Sequence, residues 1–261
     1  VTYIDLIMGN GAIIFGHDYE PFKEKMQEKL GNGLLTGVES ELSIEAAEKF
    51  LELVPVEQVR FTNTGTEAMM HCISIARAYT GKNDVAVIEG AYNGWYDYVF
   101  VSSWPDLSKA GNIEAPKPLP GMGGLHPNAV QSTLVLPFNN IEATEKLIRE
   151  HAHRLAAVIL EPVMIDVGYI EPDVAYLKKL RELCSELNII LIFDELLTGF
   201  RISLGGCQAY YDIKPDLSTF GKAISNGYIL AAVAGKKEFL KESIPGGKTS
   251  FIGTYNGHQV S

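Results

Sequence analysis

The sequence has 261 residues, 46% apolar and 21% charged, the balance of a globular chain long enough to bury its own core. With 22 basic against 32 acidic residues its formal net charge is −10, which argues against nucleic acid and anionic membrane surfaces as partners, and no apolar run approaches the ~20 residues of a membrane span. Cys72, Cys184 and Cys207 fall in no metal-binding or paired spacing, so a reducing, cytoplasmic setting without a disulfide framework is expected.

Residues 2–17 read as a short strand and a turn around Gly9-Asn10-Gly11. A small helix is predicted over 21–30, closed by Gly31, and a stronger one over 43–54, where Ile44, Ala47, Phe50, Leu51 and Val54 share a face. Strands and helices then alternate: a strand over 59–62, a helix over 67–79 and, past Gly81, a strand over 85–89. Further strands are predicted over 134–137, 157–161 and 189–193. Between the last two lies a helix with Tyr176, Leu177, Leu180, Leu183, Cys184 and Leu187 as its inner stripe. Residues 189–193 are wholly apolar, as in a strand buried on both faces of a parallel sheet, and a second short run follows over 217–220. This alternation predicts an α/β fold, doubly wound around a mainly parallel sheet, preceded by a short N-terminal segment. Residues 103–128 break the rhythm with Pro105, Pro116, Pro118, Pro120, Pro127, Gly121, Gly123 and Gly124, either a functional lid or a plain surface loop.

The residues that carry chemistry sit where strands end. The run 189–193 delivers Asp194-Glu195 to the edge where open α/β sheets place ligands, and a poorly hydrated carboxylate there needs a fixed partner. The run 217–220 delivers Gly221-Lys222, and a lysine brought near a buried acid is the raw material of Schiff-base chemistry. Thr62-Asn63-Thr64-Gly65-Thr66-Glu67-Ala68 lies at a strand-to-helix junction, where free N–H groups and the helix dipole suit a phosphate; plain N-capping by Thr64 or Thr66 accounts for it equally well. Tyr92, past another strand end, can stack on a planar ligand or simply pack. The six histidines show no metal-ligand spacing, and His151 and His153, at the end of a helix, read as solvated. Two nucleotide motifs fail. Gly247-Lys248-Thr249 and Gly221-Lys222 have Glu242 and Asp216 where a P-loop requires glycine, and no G-x-G-x-x-G follows the first strand.

Taken in order, a distributed set of motifs resembles the pyridoxal-phosphate (PLP) enzymes of fold type I. The set is Ile4-Asp5, Gly16-His17, Asn63-Thr64-Gly65-Thr66-Glu67-Ala68, Ala76-Arg77-Ala78-Tyr79-Thr80-Gly81, Tyr92-Asn93-Gly94, Glu161-Pro162-Val163, Phe193-Asp194-Glu195, Thr198-Gly199-Phe200-Arg201, Gly221-Lys222 and Gly253-Thr254. More narrowly, nearly the whole chain is similar to the class III aminotransferases, and within them to the glutamate-1-semialdehyde aminomutases. The resemblance implies an enzyme that moves an amino group between an amine or amino acid donor and an aldehyde or ketone acceptor. Aminomutase, racemase and decarboxylase chemistry are variants on the same residues.

The resemblance also assigns roles. Lys222 would hold PLP as a Schiff base and then act as general base and acid, and Asp194 would pair with the pyridine nitrogen. Thr64, Gly65 and Thr66 would bind the phosphate, Tyr92 would stack on the ring, and Asn93 and Glu161 complete the cofactor-binding set. Thr254 would reach the phosphate of the neighbouring subunit, so a homodimer with shared active sites is implied, and no metal. The stretch after Tyr92 matches a mobile gate. Asn93 stands where the family usually has histidine, Asn10 where the aminomutase has a tryptophan, and Asp166 where an asparagine supports the phenolic oxygen of PLP. A PLP-binding large domain is expected over 49–261. Residues 1–48 would belong to the small domain and the site entrance, with the C-terminal small domain lacking, as in a piece of something longer.

Overall fold

The computed structural model describes residues 2–31, 33, 35, 37–259 and 261. Its strands are β1 (Gln58–Thr62), β2 (Asp84–Ile88), β3 (Gly111–Asn112), β4 (Ala115–Pro116), β5 (Thr133–Leu136), β6 (Leu155–Leu160), β7 (Ile190–Asp194), β8 (Leu217–Phe220) and β9 (Ala231–Gly235). β3 and β4 form a separate small hairpin, and the others make one sheet in the order β1-β9-β8-β7-β6-β2-β5. β5, β2, β6, β7 and β8 run parallel, as expected, while β9 is antiparallel to both β8 and β1. Two successive reversals leave β1 pointing the same way as the parallel strands.

The helices are α1 (Met8–Gly11), α2 (Glu20–Leu30), α3 (Glu41–Leu53), α4 (Gly65–Thr80), α5 (Pro127–Gln131), α6 (Ile141–His151), α7 (Val174–Glu186), α8 (Gly206–Tyr210) and α9 (Lys237–Leu240). The period-2 alternation of the strands sorts them onto two faces. Val85, Val87, Ile190, Ile192, Ala231 and Val233 pack with Met69, Cys72, Ile73 and Ile75 of α4. Ala86, Ile88, Leu191 and Phe193 point the other way, onto Leu147 and Ile148 of α6 and Tyr176, Leu177 and Leu180 of α7. On that second face Phe50 of α3 covers Ala232 and Ala234 of β9. Each fully buried large side chain contributes about 1.5–3 kcal/mol, so the central strands anchor the fold. α4 starts on a capping box between Thr64 and Glu67 and stops at Gly81, whose φ of 70° needs no Cβ.

Some expectations need correcting. Residues 2–7 contain no strand among those described, and the turn at Gly9-Asn10 is a left-handed wrap inside α1, with φ of 62° and 55°. The predicted inner stripe of α3 is buried only at Phe50 and Val54; Ile44 is 53% exposed, because that side of α3 faces an open cleft. His151 is not solvated: it is half-buried, with Nδ1 2.9 Å from the Leu147 carbonyl oxygen. Residues 103–128 are strapped down, Ser102 N donating to the Leu119 carbonyl (2.7 Å) and Gly121 N to that of Phe100 (2.9 Å), and Ala110 and Leu125 are buried. Near the N-terminus, the Ile14 and Phe15 amides donate to Asn226 Oδ1, and Arg201 donates to the Gly11 carbonyl. The segment therefore docks on the loops that follow β7 and β8.

Candidate active site

Because β1, β2, β6, β7 and β8 share a direction, their carboxyl ends meet at one edge of the sheet. That edge gathers Thr64-Gly65-Thr66 after β1, Tyr92-Asn93 beyond β2, Glu161 after β6, Asp194 at the end of β7 and Lys222 just past β8. It is the edge at which open α/β sheets bind ligands.

Asp194 is 3% exposed, and burial raises its carboxyl above the usual aspartate range. Three donors oppose that. Oδ1 accepts from the Leu196 amide (3.1 Å) and the Thr219 hydroxyl (3.2 Å), and Oδ2 accepts from Asn93 Nδ2 (2.9 Å). Thr219 is the cross-strand partner of Asp194 in the β7–β8 register, which is how a threonine 25 residues away reaches it. Oδ1 thus has two bonds and Oδ2 one, which leaves a lone pair on Oδ2 for a ligand donor. Lys222 also stabilises the Asp194 charge through space. Its own amine has no hydrogen bond or ion pair among the described residues. Lys222 sits at φ 48°, a left-handed conformation that a side-chain-bearing residue keeps only where its surroundings impose it.

The strand-to-helix junction divides its donors. Thr64 Oγ1 accepts from Glu67 N (3.3 Å), so its hydroxyl oxygen caps α4. Despite partial burial, Glu67 is held below its ordinary range by the Thr62 hydroxyl (2.9 Å) and the Asn63 amide (2.9 Å). The amides of Gly65 and Thr66 have no acceptor among the described residues and form the free N-terminus of a 16-residue helix. Thr66 Oγ1 accepts from the Trp95 amide (3.0 Å). A Cβ on Gly65 would overlap Leu196, two residues past Asp194, so a glycine keeps the junction close to the acid.

Tyr92 is half-buried and stacked on Trp104, with centroids 5.3 Å apart and planes 13° apart. Its amide donates to Glu161 Oε1 (3.2 Å), while the Ile165 amide lies 3.4 Å from Oε2. Among the described residues Glu161 has no cation beside it: burial, followed by repulsion from Asp194, pushes its carboxyl up to about 8, so it is mostly a neutral acid near pH 7. Thr254 stands apart, in a cleft of ≈ 560 Å³ among α3, β1 and residues 251–257 that none of the other site residues lines. Sequence reasoning missed Thr219, Leu196 and Trp104. For Thr219 the available signal was its place two residues before Gly221 in a strand parallel to β7.

The group comprises a buried carboxylate with an open lone pair, an unpaired amine, two free helix-terminal amides and an aromatic face. It fits a flat ligand with a basic ring nitrogen, a carbonyl and an anionic tail. The sequence pattern of the class III aminotransferases matches residues 1–261. The chain belongs to that family. It is 40% identical, over 100% of its length and 60% of the relative's, to a glutamate-1-semialdehyde 2,1-aminomutase of Ignicoccus hospitalis. Among solved structures it is similar to an omega-transaminase from Sphaerobacter thermophilus, with a TM-score of 0.92 and 37% identity over 97% of this chain and 58% of that one. It is also similar to a transaminase with PLP bound, with a TM-score of 0.90 and 32% identity over 98% of this chain and 59% of that one. The chain spans about 60% of the length of the curated relatives it matches. Among the described residues no helix is long and apolar enough to cross a membrane.

Proposed function

We propose that the protein carrying this chain is a PLP-dependent aminotransferase of the glutamate-1-semialdehyde aminomutase type, moving an amino group between a small amine or amino acid donor and an aldehyde or ketone acceptor. One observation supports the reading: the Lys222 amine, unpaired among the described residues, follows β8 close enough to stabilise the charge of the buried Asp194 carboxylate at the end of the adjacent parallel strand β7. Lys222 would hold PLP through its carbonyl, and the bound cofactor would supply an electron sink for the substrate carbon that bears the transferred nitrogen. Asp194 would hold a proton on the ring nitrogen through the open lone pair of Oδ2. The Gly65 and Thr66 amides, with the α4 dipole, would bind the phosphate, and Tyr92 would cover one ring face. Once freed, the Lys222 amine would serve as general base and acid, taking the proton from the substrate carbon that bears the nitrogen and later returning one. Glu161, buried and mostly neutral, would leave Asp194 as the acid partner of the ring. Thr254, which lines a cleft that Lys222 does not, would serve the phosphate of a partner site in a homodimer. Residues 1–48 would border the entrance, and three buried free cysteines suit a reducing cytoplasm.

Mixing the PLP-loaded protein with amine donors tests this reading. The visible absorption of bound PLP should give way to that of its amine form, and a carbonyl acceptor should restore it. Racemisation of the donor with no change of band would instead assign a racemase. Aminomutase activity, in which donor and acceptor share one carbon skeleton, is favoured by the names of the relatives.

A further inference from the structure

Asn93 is fully buried, yet only half of its amide is used: Nδ2 donates to Asp194 Oδ2 at 2.9 Å, while Oδ1 has no partner among the described residues. The other Asp194 oxygen is bound on both sides by Leu196 N and Thr219 Oγ1. Rotation of the carboxylate is therefore blocked from three directions, and among the described residues Asn93 alone bonds the oxygen that still has a lone pair. The orphaned Asn93 carbonyl has a chemical consequence as well. A flipped amide would set its oxygen against the Asp194 carboxylate, so the amide has one workable orientation. A buried acceptor left open is costly unless a donor arrives with a ligand.

We propose that Asn93 is the positioning residue for Asp194, its neutral amide fixing Oδ2 so that the remaining lone pair points at the ring nitrogen of the bound ligand. The identity of that ligand rests on the functional reading above; the Asn93–Asp194 coupling does not. The groups facing Asp194 are Lys222 beyond β8, Cys72 on α4, Glu161 beyond β6, the adjoining Glu195, and Tyr92 beyond β2. Among them only Lys222 supports the ionised carboxylate, and the Asn93 amide adds a second support that does not itself titrate. Its grip on Asp194 is therefore constant through the neutral range, which an imidazole at the same position would not provide.

The test begins without cofactor. In protein labelled with 13C at aspartate carboxyls, the Asp194 signal is assigned by its loss in Asp194→Asn and titrated in wild type and in Asn93→Leu. Loss of a hydrogen bond to a charged group should move the midpoint up by about one pH unit, tenfold in proton affinity. An unchanged midpoint overturns the proposal. Should Asn93→Leu fail to fold, Asn93→Ala takes its place with the same expectation. With 15N-labelled PLP bound, the ring nitrogen should stay protonated to higher pH in wild type than in the variant, and identical profiles overturn the proposal. If wild type takes up no PLP, the functional reading fails, while the carboxyl titration still decides the role of Asn93.

Discussion

Replacing Glu161 by glutamine should make the protein more resistant to alkaline destabilisation. Glu161 is 4% exposed, has no cation beside it among the described residues, and sits close enough to Asp194 and Asp166 to be repelled by both. Its carboxyl is raised from an ordinary 4.5 to about 8 in the folded chain. A folded-state value above the unfolded one means that the folded protein binds the extra proton. The contribution of Glu161 to stability is therefore complete below the ordinary value of 4.5 and is lost as pH rises toward about 8. Each unit inside that window costs about 1.4 kcal/mol, so going from about pH 5.5 to about pH 7.5 costs about 2.7 kcal/mol. Glutamine is the shape of the protonated acid: its oxygen can still accept from Tyr92 N, and its amide does not titrate. Urea denaturation of both proteins across this range should give nearly equal stabilities at the acid end and a glutamine advantage of about 2–3 kcal/mol at the other. Parallel profiles would show that Glu161 is ionised or solvated in the folded chain, and the argument for a neutral acid would fail.

Two further changes probe the scaffold behind the site. Gly206 has φ 74°, and a Cβ there would lie 2.7 Å from Glu195 Oε1, inside the cage that Thr198, Cys207 N and Gln208 N build around this buried carboxylate. Gly206→Ala should cost about 2–4 kcal/mol by chemical denaturation, and a cost under about 0.5 kcal/mol would refute the cage. Asp216, 4% exposed at its side chain, accepts from Lys236 (2.5 Å), the Arg181 guanidinium (2.9 Å) and the Leu191 amide (2.8 Å), pinning the starts of β7 and β8. Asp216→Asn leaves two cations facing a neutral group. Their partial exposure brings the expected loss down to about 2–3 kcal/mol, read from the shift in denaturation midpoint.

The parts of the fold legible in the sequence are those whose side chains have a single environment. Residues 190–193 are buried on both faces, so an unbroken apolar run could only be a central strand, and the acid at its end had to lie at the sheet edge. β9 was not legible: Ala-Ala-Val-Ala-Gly carries almost no β-branched signal, and its strand state comes from pairing with β1 on one side and β8 on the other. Ile44 looked like core because periodicity reports a face and says nothing of what covers it. At the site, Asp194 and Lys222 announced themselves by position, whereas Thr219 became visible only through strand register. The neutrality of Glu161 comes first from its burial and then from Asp194 at the end of another strand, with a smaller part from Asp166, so no local pattern could encode it. The double use of the helix junction was half legible: capping and phosphate binding competed on paper, but Thr64 caps while Gly65 and Thr66 keep their amides open.

The Lys222 amine, unpaired among the described residues and near the buried Asp194, should form a covalent bond to a carbonyl cofactor. Incubating the protein with PLP, reducing with borohydride and mapping the peptides tests it most directly. Bleaching of a visible band and a single stoichiometric label on Lys222, absent from Lys222→Ala, are the expected result. Label spread over surface lysines such as Lys25 or Lys248, or none at all, would contradict it.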